Sequence, residues 1–312
     1  MPPLRPLRPT RADQRRFVAR AGETERLLAA VDAGRNGLVL GSHGSGASSL
    51  LAHAAYQRRD APRRWVIVAG ETAGSAGALL LRILAELDAG AFERWRARLA
   101  DRDRTGDPLL EPALLAVLLD ELDEHVRDTV ITIDGIAPAV AHALFGSARN
   151  DVWALAGATW VLAGRLEERD LLLRPPADAF FDTTIVLEPL SDADARRLLT
   201  AHGHEPAPAV LAAGAGIPAQ LLRAAAIAEE GGDPATLSAP PAAAGTRAGL
   251  LGWLTARGAA SPSDPALLEQ LGVSRQRAAK LLAELAAEGV VRATDERPEG
   301  SGRPRKLYTL AA

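Results

Sequence analysis

Gly37-Leu38-Val39-Leu40-Gly41-Ser42-His43-Gly44-Ser45-Gly46-Ala47-Ser48-Ser49 is the stretch whose reading decides the fold. A short apolar run gives way to a turn rich in glycine and serine, and the turn opens a helix-like stretch, Leu50-Leu51-Ala52-His53-Ala54-Ala55. Strand, loop and helix in that order are the setting that a phosphate-binding loop of the form G-x-x-x-x-G-K-[ST] requires. Glycines let the backbone turn tightly, and successive N–H groups at the start of the helix cradle phosphate oxygens. On that pattern Gly41 and Gly46 are the spaced glycines, Gly44 adds backbone freedom, and Ser48 and Ser49 offer hydroxyls, Ser48 in the position that reaches a magnesium ion. The lysine position holds Ala47. Lys280 and Lys306 are the chain's two lysines, both near the C-terminus, so no lysine of this region stands in for it.

Outward from the loop, apolar runs alternate with helical patterns as far as about residue 190. Strands are expected at Leu38 to Leu40, Trp65 to Ala69, Val130 to Ile133, Thr159 to Ala163 and Thr184 to Leu187. This alternation predicts a parallel sheet with helices on both faces. Ser191 to Glu229 reads as wholly helical, started by Ser191 with Asp194 three residues on and interrupted at Gly216-Ile217-Pro218. Gly231-Gly232-Asp233-Pro234 through Pro240-Pro241 has the composition of a linker.

The pattern then changes again. One helix is expected over Arg247 to Ala256, a second over Pro265 to Leu271, and a third over Arg275 to Glu288, capped by Ser274. Two strands, Val290 to Ala293 and Leu307 to Leu310, flank a polar, glycine-rich loop. Three helices followed by a hairpin with a basic tip predict a winged helix-turn-helix. In such a domain the third helix enters the major groove, so Ser274, Arg275, Gln276, Arg277 and Lys280 are the candidates for contact with base edges. Arg303, Arg305 and Lys306 on the wing suit phosphates or a minor groove.

Several further stretches make the likeness to a known family specific. Phe17-Val18-Ala19-Arg20-Ala21-Gly22-Glu23 resembles the F-V-G-R-E-x-E box of the AAA+ and STAND superfamily of P-loop ATPases, and the order of elements is similar to its origin-recognition-type and signalling members. The resemblance covers residues 16 to 312 and implies a nucleotide domain, a helical lid and a winged helix. It also implies an acidic strand end at Val130-Ile131-Thr132-Ile133-Asp134, with Asp134 facing the metal, but the adjacent catalytic acid is Gly135. Arg165 follows Trp160-Val161-Leu162-Ala163-Gly164, where the family places a polar sensor, and the arginine that follows the lid's G-x-P is Ala219. Ala47 removes the cation that neutralises the β- and γ-phosphates, and Gly135 removes the acid that polarises the attacking water. Taken together these departures imply a domain that has given up hydrolysis. Its cofactor sites, if kept, are Gly41, Gly44, Gly46, Ser48, Ser49 and Asp134; no cofactor is expected, and ATP or ADP with magnesium is the alternative.

Composition sets the outer bounds. The chain has 312 residues, 47% hydrophobic and 24% charged, enough for two or three domains. It contains no cysteine, which excludes disulfides and thiolate metal sites. No apolar run reaches the length of a membrane span, and Met1 to Arg20 carries prolines and arginines rather than a signal core, so a cytoplasmic protein without a membrane partner is expected. No G-x-S-x-G elbow occurs, and the six histidines show no metal-ligand spacing. Net charge is −3 overall, yet Thr246 to Ala312 carries ten Lys/Arg against seven Asp/Glu, and residues 1 to 20 carry six Arg against one Asp. An acidic body with basic ends fits a protein that meets nucleic acid at its ends.

The expected organisation is therefore a disordered basic arm over 1–15, a P-loop domain over 16–190, a lid over 191–230, a linker over 231–245 and a winged helix over 246–312. The expected partner is double-stranded DNA, with the body serving oligomerisation or contact with a partner ATPase. A nucleotide-switched ATPase using arginine in place of lysine, and a protein-binding adaptor, are the rival readings.

Overall fold

The structure, a computed structural model, describes residues 5–105, 110–237, 247–264, 267–268, 275–287, 289–296 and 305–310. The chain divides into two units, the first ending at Pro234 and the second beginning at Ala235.

In the first unit five parallel strands carry the fold: β1 (Gly37–Gly41), β2 (Arg64–Ala69), β3 (Thr129–Asp134), β4 (Ala158–Arg165) and β5 (Thr183–Leu187). Each of the five expected strands is present, extended by a residue or two at one or both ends. The sheet order is β2-β3-β4-β1-β5, which places β1 and its loop between β4 and β5. Side chains alternate between the two faces as strand geometry demands. Leu38, Leu40, Ile131, Ile133, Trp160 and Leu162 point into one apolar cluster, whereas Val39, Val130, Val161, Ala163, Ile185 and Leu187 point into another. Both faces are therefore buried, which is why these strands read in sequence as near-continuous apolar runs.

Helices α1 (Arg11–Gln14), α2 (Ala21–Asp32) and α3 (Ala47–Gln57) lie early in the chain, α2 and α3 packing Leu27, Leu28, Leu50 and Leu51 on the second face. The first face is covered by α4 (Ala76–Leu87), α5 (Ala89–Thr105) and α6 (Glu111–Asp123), together with the aromatic group of Phe145, Trp160, Phe180 and Phe181. Short helices α7 (Pro138–Ala141), α8 (Arg149–Ala154) and α9 (Arg169–Leu172) fill the β3–β4 and β4–β5 connections. Buried Asn36 ties the sheet to this group: its amide donates to Phe180 O at 3.2 Å and its side-chain oxygen accepts from Trp160 N at 2.9 Å. The all-helical segment follows as α10 (Asp192–Ala201), α11 (Pro208–Gly214) and α12 (Pro218–Glu229), around Leu198, Leu199, Val210 and Leu221. Ser191 caps α10, its hydroxyl oxygen accepting from Asp194 N at 3.2 Å.

The start of the chain departs from expectation. Residues 1–15 read as a disordered basic arm, but from Arg5 onward the segment is ordered around one acid. Asp13 accepts from the Arg5 guanidinium at 2.7 Å and from Arg8 N at 2.8 Å, and Leu7 N donates to Ser49 Oγ at 3.1 Å. Counting six arginines against one aspartate hid the fact that the single aspartate is buried. The Arg5 guanidinium holds the Asp13 carboxyl below the usual range.

The second unit contains α13 (Arg247–Arg257), β6 (Ala259–Ala260), α14 (Arg275–Ala287), β7 (Val291–Glu296) and β8 (Arg305–Leu310). Its antiparallel sheet runs in the order β6-β8-β7, with Ala293 opposite Tyr308. Leu250, Trp253, Leu254, Leu267, Leu282, Leu285 and Tyr308 form its core. Most of the expected second helix and much of the hairpin loop lie outside the described residues.

Candidate nucleotide pocket and nucleic-acid interface

The loop Gly41–Gly46 is held open by its glycines. A Cβ on Gly41 would stand 2.1 Å from the hydroxyl of Ser45, which is itself buried. Gly44 and Gly46 have φ of +80° and +97°, the left-handed region where an L side chain is strained. A Cβ on Gly44 would also stand 2.7 Å from Ala219 Cβ, and Ala219 N donates to Gly44 O at 3.2 Å, so the start of α12 rests directly on the loop. Gly46 caps α3 without a side-chain bond, leaving the first N–H groups of α3 without an intrahelical partner. Such a cradle fits a phosphate group.

Across the sheet edge, Ser48 Oγ donates to Asp134 Oδ1 at 2.8 Å, joining the first turn of α3 to the end of β3. Burial pushes the Asp134 carboxyl up, the Ser48 hydrogen bond opposes that shift, and the Glu71 charge adds to it. If magnesium accompanies a bound phosphate, Ser48 and Asp134 are the groups placed to hold it. Ser49, grouped with them from the sequence, instead accepts from the arm at Leu7.

Position 135 has a physical reason to be glycine. Its φ is +71°, and an added Cβ would lie 2.3 Å from Glu71 Cγ. A carboxylate is thus present beside this strand end after all, carried by the residue that follows β2 and Gly70. Sequence reading missed Glu71 because it searched along the strand, whereas the acid arrives from the neighbouring one. Arg165 lies 3.9 Å from Glu71, so the arginine expected as a sensor faces this carboxylate.

Cationic groups gather in the same cavity of about 770 Å³, which Arg16, Arg20, Arg165 and Arg223 line together with the loop. Arg223 stands one turn beyond Ala219 on α12 and is exposed. Arg20 is largely buried, its guanidinium 2.9 Å from Glu23 and donating to Ser45 O at 3.3 Å. Phe17, Val18, Leu198 and Leu222 supply an apolar wall. His202 also lines the cavity, where burial and then the Arg16 charge lower its pKa. No three His, Asp or Glu side chains gather as a metal site among the described residues.

In the second unit α14 is amphipathic. Ala278, Leu281, Leu282 and Leu285 are buried, at the i, i+3, i+4, i+7 spacing of one helix face, and Arg275 and Lys280 are exposed. Lys280 is 4.0 Å from Glu284. Lys306 is exposed on β8. Gln276 and Arg277 belong to α14 and Arg305 begins β8, but their side chains, like Ser274 and Arg303 entirely, lie outside the described residues.

No protein-family model matches this sequence, and no curated protein matches it. Solved structures do. The ORC1 protein of Aeropyrum pernix, solved in complex with DNA, superposes with a TM-score of 0.53 at 16% identity over 95% of this chain and 90% of that one. The fold is of the P-loop α/β type, with a parallel five-stranded sheet between helices. Cdc6p of Pyrobaculum aerophilum gives a TM-score of 0.48 at 15% identity, covering 95% of this chain and 92% of that chain. The RuvB Holliday junction branch migration motor of Thermotoga maritima gives 0.47 at 16% identity, covering 94% and 92%. At these identities the likeness concerns the fold alone. Among the described residues no helix is long and apolar enough to cross a membrane.

Proposed function

We propose that this chain is a cytoplasmic DNA-binding protein, a transcriptional regulator or a replication- or defence-type recognition factor, whose second unit is a winged helix that meets duplex DNA. The observation that carries this reading is α14, where Arg275 and Lys280 are exposed while its leucine face is buried. A helix anchored in this way presents fixed cations, and fixed donors are what groove recognition needs. Arg277 and Gln276 share the helix, Ser274 precedes it in sequence, Arg305 and Lys306 begin β8, and these two together with Arg303 are the phosphate contacts on this reading. The ORC1 protein to which the fold is similar was solved with DNA bound, which supports the same assignment.

The first unit is, on this reading, a P-loop body that does not turn over ATP and serves oligomerisation or contact with a partner ATPase. Ala47 at the head of α3 carries no charge, and this unit has no lysine. The test is titration of labelled duplexes with full-length protein, by fluorescence anisotropy across a range of salt. Arg275→Ala should cost about 1 to 3 kcal/mol at a preferred site. Lys306→Ala should weaken all duplexes alike and flatten the salt slope. Full-length, folded protein that binds no duplex at low salt would overturn the reading in favour of a protein-binding adaptor.

A further inference from the structure

We propose that residues 5–17 form a strap seated on one polar face of α3, and that His53 is its latch: a neutral imidazole holds the strap down, and protonation of that ring releases it.

The seat is built at helical spacing. Ser49, His53 and Gln57 stand at i, i+4 and i+8 on α3, so they lie in one row along the helix. Each takes part in holding the strap. Ser49 Oγ accepts from Leu7 N at 3.1 Å, His53 Nδ1 is hydrogen-bonded to Gln14 Oε1, and the Gln57 amide reaches His53 Nε2 at 2.6 Å. Phe17 lies flat on the His53 ring, with centroids 4.0 Å apart and planes 16° from parallel. The strap is also stiffened from within, since Asp13 accepts from Arg5 and from Arg8 N, and Thr10 Oγ1 accepts from Asp13 N at 3.3 Å. Its first residues, Arg5, Pro6 and Leu7, line the cavity at the glycine loop. Undoing the seat therefore removes part of one cavity wall.

The hydrogen-bond partners set the proton state of His53. Gln14 Nε2 donates to Arg8 O at 3.0 Å, which leaves its Oε1 as the acceptor facing His53. An acceptor at Nδ1 demands an N–H there, and the neutral ring then has one lone pair, at Nε2, where the Gln57 amide donates. A second proton on Nε2 faces that amide's own N–H groups, so Gln57 must turn or withdraw. The charged groups around the ring offer the new cation little. Asp32 of α2 is paired with Arg58 of α3, Asp13 of the strap is paired with Arg5, and Glu25 of α2, which lines the same groove, makes no hydrogen bond to the ring. Arg15 and Arg16, beside Gln14 and Phe17 in the strap, are themselves cations. Burial likewise lowers the pKa of the seated ring. The seat is thus at full strength above the ordinary histidine pKa and weakens as pH falls from there through the lowered seated value. Asp13, held below the usual carboxylate range, keeps its charge across that window. His202, the lid histidine beside Arg16, is the competing titratable group.

The test is amide hydrogen exchange on the full chain at about pH 8 and about pH 5.5, corrected for the intrinsic effect of pH on exchange, for wild type, His53→Gln, Gln14→Glu and His202→Gln. Amides of β1 and β3 establish that the sheet stays folded. In wild type, protection over residues 7–17 should fall at least tenfold from the higher pH to the lower while β1 and β3 keep theirs. His53→Gln should respond to pH no longer, and His202→Gln should respond as wild type does. Gln14→Glu should reverse the trend, because a carboxylate at Nδ1 favours the charged ring. Unchanged wild-type protection between the two pH values would overturn the latch and leave the strap. A response that survives His53→Gln, or one that vanishes in His202→Gln, would also remove the latch from His53. Residues 7–17 that exchange like an unfolded peptide at the higher pH would overturn the strap itself.

Discussion

The two units treat positive charge in opposite ways. In the second, lysines and arginines project from secondary structure toward solvent: Arg275 and Lys280 from α14, Lys306 from β8. In the first, the one helix that should present a lysine, α3, begins with Ala47, and the cationic groups reach the cavity from elsewhere, Arg20 from a strained turn and Arg223 from the lid. A charge on the first turn of α3 would be fixed along the axis of the phosphate cradle. A charge arriving from a turn or a lid can hold a bound phosphate, but it is not built into the loop that must track the reacting group. The contrast teaches that the loop keeps its shape, through Gly41, Gly44 and Gly46, without a lysine at the head of α3.

The largest effect that could break this contrast concerns turnover. Purified protein with ATP and magnesium should release phosphate no faster than background, because one missing transition-state donor commonly costs about a hundred- to a thousandfold in rate. Glu71 is the residue to watch. If magnesium-dependent release is measured and Glu71→Gln and Asp134→Ala each abolish it, then Glu71 acts as the base that Gly135 lacks, and the first unit is an enzyme with a relocated acid.

Next in size is the support of α14. Leu282 is fully buried and packs in the small core with Trp253 and Tyr308. Leu282→Ala should cost about 2 to 5 kcal/mol of the stability of the second unit and weaken duplex binding with it. Duplex affinity unchanged in a variant so destabilised would move DNA contact away from α14.

Restoring the expected acid at position 135 makes a smaller, sharper test. Glu71 is exposed and can swing away from a new Cβ, but φ of +71° remains, so Gly135→Glu should destabilise by about 1 to 2 kcal/mol. It should also fail to start hydrolysis, since Ala47 is unchanged. A variant as stable as wild type in thermal melts would mean the backbone at 135 is not committed to the left-handed region.

These tests follow the line between what the sequence could and could not disclose. All five strands of the first unit were legible, because a sheet buried on both faces writes itself as apolar runs between glycine and proline signals. The loop was legible because its motif is contiguous. Glu71, Arg223 and His202 were not, since each enters the site from a different element and only the fold brings them together. The ordered arm escaped notice for a related reason: Asp13 gathers Arg5 and Arg8 through tertiary packing, and composition alone cannot tell a solvated charge run from one folded around a buried acid. In the second unit α13, α14 and the two longer strands were likewise legible, whereas β6 was not and most of the expected second helix lies outside the described residues; which side chains of Ser274 to Lys280 face outward was read only as helical spacing, and the structure shows this for Arg275 and Lys280.

The smallest expected effect concerns Asp134 and turns on the sign of a titration. Burial raises its pKa in the folded protein, with the Glu71 charge adding to the shift and the Ser48 hydrogen bond opposing it. A raised carboxyl pKa means the folded state holds the proton more tightly than the unfolded chain does, so ionising Asp134 destabilises the fold. That penalty is absent below the ordinary carboxylate pKa, develops as pH rises from there through the raised folded value, and is complete above it. Asp134→Asn removes the penalty and keeps an oxygen to accept from Ser48. The ligand-free variant should therefore be more stable than wild type at pH 7, by a few tenths to about 1 kcal/mol, and the two melting curves should converge toward acid pH. Adding ADP and magnesium should reverse the order, because a cation at Asp134 offsets the buried charge in wild type and finds no charge to offset in the variant. If the variant gains as much from ADP and magnesium as wild type does, Asp134 does not hold the metal, and its place at the end of β3 is structural.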